Sequence, residues 1–189
     1  MSERLKNVPI RVVLTKGAKL RLLLFNWRMR FQNFHKENNL LDESERRTER
    51  HRGRETALQL LYQWEVGGIE DINRDESLVL FWLVHPAPSS RQTFAGQLAS
   101  GTFDALSKID PLIECQSENW RLSRMTIIDR LIIRMAVYEL LENETPAAVV
   151  IDEALELAKT FSGDDSVGFV NGVLDGVRRA TMEHEEISG

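Results

Sequence analysis

From Arg54 onward, apolar residues recur every three or four positions, the spacing that gathers side chains on one side of an α-helix. Ala57, Leu58, Leu61 and Tyr62 draw the first such stripe, which closes at Val66-Gly67-Gly68, where paired glycines favour a stop. A second run, Ile72 to Val84, ends at HPAPSS because Pro86 and Pro88 forbid regular continuation. The next pattern predicts a helix from Ser89 to Ile109 carrying Phe94, Leu98, Phe103, Leu106 and Ile109, weakened by Gly96 and Gly101. Asp110-Pro111 then opens a short helix, with aspartate as its cap and proline in its first turn.

The clearest pattern is SRMTIIDRLIIRMAVYELLEN. Met125, Ile128, Leu131, Ile132 and Met135 form its core stripe, with Asp129, Arg130 and Arg134 away from the centre, so this helix is expected to be central. Thr145-Pro146 caps and opens a helix bearing Val150, Ala154, Leu157, Ala158 and Phe161. Asp165 or Ser166 then caps a last helix with Val170, Val173, Leu174 and Val177. Gly168, Gly172 and Gly176 recur along it and suggest the close approach of another backbone. No convincing alternating strand interrupts the series, and the fold class is an all-α bundle.

Composition adds little to this until charge is located. Apolar residues at 42% and charged residues at 28% are ordinary for a globular protein. The longest apolar runs, such as Leu22 to Phe25, are far too short to span a bilayer, and a cytoplasmic setting is expected. Cys115, the one cysteine, permits no internal disulfide and reads as a small buried apolar group. The four histidines lack metal-ligand spacing, so neither metal nor cofactor is expected. The net charge of -5 divides into +5 on residues 1–44 and -10 on residues 45–189. The first segment lacks a sustained period or clear caps and is expected to be a poorly ordered basic extension outside the core.

Within the acidic remainder, RRTERHRGRETALQLLYQWE places Arg46, Arg47, Arg50, Arg52 and Arg54 at a helix start. Cations there oppose the helix dipole, and a sequence chosen for stability alone would favour acids. Planar guanidinium groups match phosphate oxygens, and a phosphate at that helix end would be favoured by both the arginines and the dipole. Tyr62 is placed to stack on an unpaired base, although an aromatic in an apolar helix is more often core, and Trp64 more so than Tyr62. Asp152-Glu153 and Asp164-Asp165 are read as solvated or capping acids, because no nucleophile or positioned base accompanies them.

HRGRETALQLLYQWE at 51–65, DRLIIRMAVYELL at 129–141 and VVIDEALELAKTFSGDDSVGFVNGVLDGV at 149–177 strongly resemble the NusB family of bacterial transcription antitermination factors. The resemblance implies a bundle of about seven helices in two small subdomains over residues 45–184, with 185–189 as a tail. It also implies binding of boxA single-stranded RNA together with the ribosomal protein NusE, and an indirect link to RNA polymerase in an antitermination complex during ribosomal RNA synthesis. Carried onto this chain, the RNA-binding residues are Arg50, Arg52 and Arg54, with Arg46 and Arg47 added, then Tyr62, and the stretch from Asp165 to Phe169. Asp129 matches the acidic position expected to face NusE. His51 and Gly53 interrupt a basic run that is denser in some relatives, and Val167-Gly168 replaces a pair that is often polar or basic.

The leading expectation is therefore a non-enzymatic RNA-binding adaptor. One alternative is an rRNA 5-methylcytosine methyltransferase, since such enzymes can carry a NusB-like domain, but no βαβ unit or glycine-rich cofactor loop follows here. The other is a protein-only adaptor or homodimer whose association covers the arginine surface.

Overall fold

A computed structural model describes residues 49–67, 74–116 and 122–188. Among them are seven α-helices: α1 (Glu49–Gly67), α2 (Arg74–Val84), α3 (Ser89–Asp104), α4 (Leu106–Gln116), α5 (Ile127–Glu142), α6 (Ala147–Phe161) and α7 (Asp164–Ser188). A 3-10 turn, Leu122–Arg124, precedes α5, and the described residues contain no strand. The all-α expectation is met. The basic extension, with Arg46 and Arg47 beyond it, lies outside the described residues.

Helix α5 is the hub, packed against α1, α3, α4, α6 and α7. Leu131, Ile132, Ile133, Met135, Ala136 and Val137 are all buried on it, so buried apolar residues line about two-thirds of its circumference, as a central helix requires. Thr126 caps it, its Oγ1 accepting from the Asp129 amide at 3.1 Å, and Asn143 ends it in the left-handed region at φ 53°. Around this hub α1 lies along α3, and α6 along α7. Trp64 is buried, donates from Nε1 to Ser77 Oγ at 2.7 Å and meets the Phe103 ring edge-on at 6.0 Å.

Several local expectations are corrected. The break after α3 falls at Ala105, which leaves helical geometry at φ -92°, ψ 4°, so Asp110 and Pro111 sit inside α4 instead of opening it. Helix α6 starts after Pro146 with no side-chain cap, its carbonyl taking the amides of Val149 and Val150 in place of the expected Thr145 hydroxyl. Helix α7 begins at Asp164, one residue before the expected cap, and continues through Ser188 into the expected tail. Cys115 is exposed, because α4 buries Ile109 and Ile113, and a residue two further on points to the opposite side.

The glycine periodicity of α7 is also corrected. A Cβ at Gly176 would approach Gln116 Oε1 to 3.0 Å, whereas Gly168 and Gly172 face open space. Four residues turn a helix by about 40° more than one revolution, so a four-residue repeat drifts off any single contact line. The close approaches lie elsewhere, at Gly101, where a Cβ would collide with the Tyr138 ring and hydroxyl, and at Gly53, where it would collide with the Phe94 ring. Gly53 therefore lets α1 and α3 meet beside the arginine-bearing turn. Replacing Gly53 by alanine should destabilise the fold by about 1–3 kcal/mol through overpacking, read as a lowered urea midpoint at constant slope.

Candidate nucleic-acid interface

The first turns of α1 sort their side chains by rotation about the helix axis. Glu49, Arg50 and Arg52 are exposed, while His51, Gly53, Arg54 and Glu55 are buried. The Arg50 guanidinium lies over the Phe94 ring at 4.2 Å, a cation–π contact that fixes it at the rim between α1 and α3. Arg52 Nη1 donates to Glu49 Oε1 at 3.0 Å.

Arg54 departs from the expectation. Only 4% exposed, it donates from Nε and Nη2 to the two oxygens of Glu139 at 2.8 and 2.7 Å, and its Nη1 lies 3.6 Å from Glu153. Both prongs of the planar fork are taken by a carboxylate on α5, so Arg54 forms a buried structural ion pair and is not among the exposed arginines of the run. Next to it His51 Nδ1 lies 2.8 Å from Glu153, and Nε2 lies 3.6 Å from Glu55. Glu153 thus reaches into this cluster, unlike the solvated acid expected, while Asp152 beside it is exposed. Sequence reasoning missed His51, Glu139 and Glu153 as a unit.

The remaining candidates sit at the other end of α5. Glu65 pairs with Arg130 and Arg134, and Arg134 also holds Asp110 through a bidentate contact at 2.8 and 2.7 Å. Tyr62, one turn before Glu65, is half-buried and packs on the core. Asp129 is a second correction. It is 5% exposed, takes the Thr126 hydroxyl on Oδ2 at 2.8 Å and the Ser166 hydroxyl on the same oxygen at 3.3 Å, so it ties the start of α7 to the start of α5. A buried acid does not present an open face to a partner. Asp165 is exposed and Phe169 is half-buried against the core on the first turns of α7. Asp129 and Glu139 are ten residues apart on α5, so the two groups of candidates are separated by about 15 Å along its axis.

Among the described residues no cluster of His, Cys, Asp and Glu is placed to hold a metal ion. None of their helices is long and apolar enough to cross a membrane.

The NusB family model matches residues 51–179. The chain belongs to the NusB family. A transcription antitermination protein NusB from Solibacter usitatus is 44% identical over 136 residues, covering 71% of this chain and 91% of that protein. The T. maritima NusB structure superposes with a TM-score of 0.61 at 35% identity, over 69% of this chain and 90% of that one. A structure of the antitermination factors NusB and NusE in complex with double-stranded RNA shares the fold, with a TM-score of 0.62 at 24% identity, over 70% of this chain and 97% of that one. Within the NusB family this chain is a transcription antitermination factor and not an enzyme.

Two outcomes follow from the buried cluster. Glu139→Ala leaves the charged Arg54 in the core without its bidentate partner, holding only the longer contact to Glu153, at a cost of about 3–5 kcal/mol in chemical denaturation. Glu55, with Glu153 on the other side, raises the His51 pKa against the opposing effect of burial. A raised folded pKa gives stability that is complete below the unfolded value of about 6.5 and lost as pH rises through the folded one. The Tm advantage of the native chain over His51→Gln should therefore be largest below that value and shrink above it; a pH-independent difference would contradict the assignment.

Proposed function

We propose that this NusB-family chain binds boxA single-stranded RNA jointly with NusE during ribosomal RNA transcription, and through NusE enters the RNA polymerase antitermination complex. The observation that carries the reading is the exposed pair Arg50 and Arg52 at the opening of α1, in a body whose charge is otherwise acidic. Guanidinium groups at a helix start offer phosphate a planar donor set and a favourable dipole together. Arg46 and Arg47 extend the same basic run in sequence.

Further along α1, Thr56, Gln59, Tyr62 and Gln63 are partly exposed at spacings of three and four, giving a polar ridge that leads away from the arginines. A single strand laid along it meets phosphate ligands first and then the Tyr62 ring, which supplies a surface for a base. Asp165 and Phe169 supply a second contact at the α7 opening. Asp129 contributes to NusE docking by holding that opening through Ser166.

The test is boxA RNA binding over a salt series, with and without NusE. Alanine at both Arg50 and Arg52 should weaken binding and lower the slope of log affinity against log salt by about 1.4, or 0.7 per phosphate contact on a single strand. Affinity and slope equal to those of the native chain would remove the reading.

A further inference from the structure

Arg91, on the first turn of α3, carries no signal in the sequence, yet it lies beside the opening of α1. Its Nε donates to Glu49 Oε2 at 3.0 Å, and its Nη2 reaches both Glu49 oxygens at 2.9 Å. Arg52 donates to the same carboxylate at 3.0 Å. Two guanidinium groups from different helices thus converge on one anion. Phe94, one turn after Arg91 on α3, carries Arg50 on its ring, so the three arginines share one rim.

We propose that Arg91 is a further RNA-phosphate ligand, and that Glu49 is an internal occupant of the seat formed by Arg52 and Arg91, displaced when a phosphate arrives. The inference rests on the RNA-binding reading above. Carboxylate and phosphodiester each carry one negative charge and present two oxygens, and the arginine fork accepts either. The Arg91 hydrogen bond is the main cause holding the Glu49 carboxyl below its usual pKa, so the occupant is charged at neutral pH. Glu49 and Arg52 are each about half exposed, at 52% and 47% of their side chains. Exposed pairs of this kind add little to stability, so exchange costs the fold little. Arg91, at 20%, is the more shielded partner and the more strongly directed donor. RNA gains two cations already oriented, and the free protein avoids leaving them to repel each other.

The test compares the native chain, Glu49→Gln, Arg91→Ala, the double variant, and Glu76→Gln as a control of equal charge change at an exposed site on α2. The probe is a single-stranded boxA RNA oligonucleotide in a salt series, with thermal unfolding to confirm that each variant is folded. Glu49→Gln should bind about two- to fivefold more tightly at low salt, and Glu76→Gln should not. Arg91→Ala should bind more weakly and lose about 0.7 from the salt slope, and the double variant should show no gain from Glu49→Gln. If the native chain binds RNA but Glu49→Gln behaves as Glu76→Gln, or Arg91→Ala keeps the native slope, this inference alone is overturned. If neither the native chain nor Glu49→Gln binds RNA, the RNA-binding reading falls with it.

Discussion

The buried pair of Arg54 and Glu139 is the constraint from which the surface follows. An arginine keeps its charge at any accessible pH, so once inside it must have a partner with good geometry, and the bidentate contact at 2.8 and 2.7 Å provides one. That contact sets the rotation of α1 against α5. With Arg54 turned inward, a residue two positions earlier points to the opposite side and one four positions earlier falls near the same edge. Arg52 is accordingly in solvent and Arg50 sits at the rim on Phe94. One buried pair thereby sorts a run of similar residues into different jobs. Gly53, between them, allows α3 to come close enough to supply that aromatic ring and Arg91.

Much of the bundle was legible because apolar spacing reports burial directly. Leu58, Leu61, Leu131, Ile132, Val150, Leu157, Val170 and Leu174 are all core, as their periodicity predicts. Boundaries were less legible where the signal was a cap residue. Asp110-Pro111 has the composition of a helix start, but Asp110 serves the Arg134 fork instead, and composition does not say which partner an acid takes. The repeat of glycines on α7 misled for a geometric reason, since its period does not match the helix.

The polar half of the candidate interface was legible in outline only. Residues 51, 54, 55 and 58 share a helical face with buried Leu58, so a wheel projection places His51 and Arg54 inward, and Glu139 continues the spacing of Ile132 and Met135 on α5. Their charge argued against burial, and only the contact between α1 and α5 shows that opposite charges meet there. Arg91 offered no such clue, because its partner is forty-two positions away in sequence. Asp129 is buried where its spacing placed it away from the core centre: its role as a tie between α5 and α7 depends on Ser166, which sequence spacing does not connect to it.

Counting arginines therefore overstates the free positive charge at this surface. Of the three described arginines in the run, Arg54 is committed to Glu139, Arg52 shares Glu49 with Arg91, and Arg50 is held by an aromatic face. Each cation is kept in place by a neighbour instead of waving in solvent, which lowers the ordering entropy that a ligand must overcome. The same neighbours must be matched or displaced before a phosphate gains anything. A weakly held anion fails that exchange, whereas a polymer that brings successive phosphates along α1 meets it at several positions together. Attraction is thus conditional on a ligand long enough to engage the rim and the polar ridge together, and the net acidic charge of residues 45–189 disfavours anions that meet those residues away from the rim.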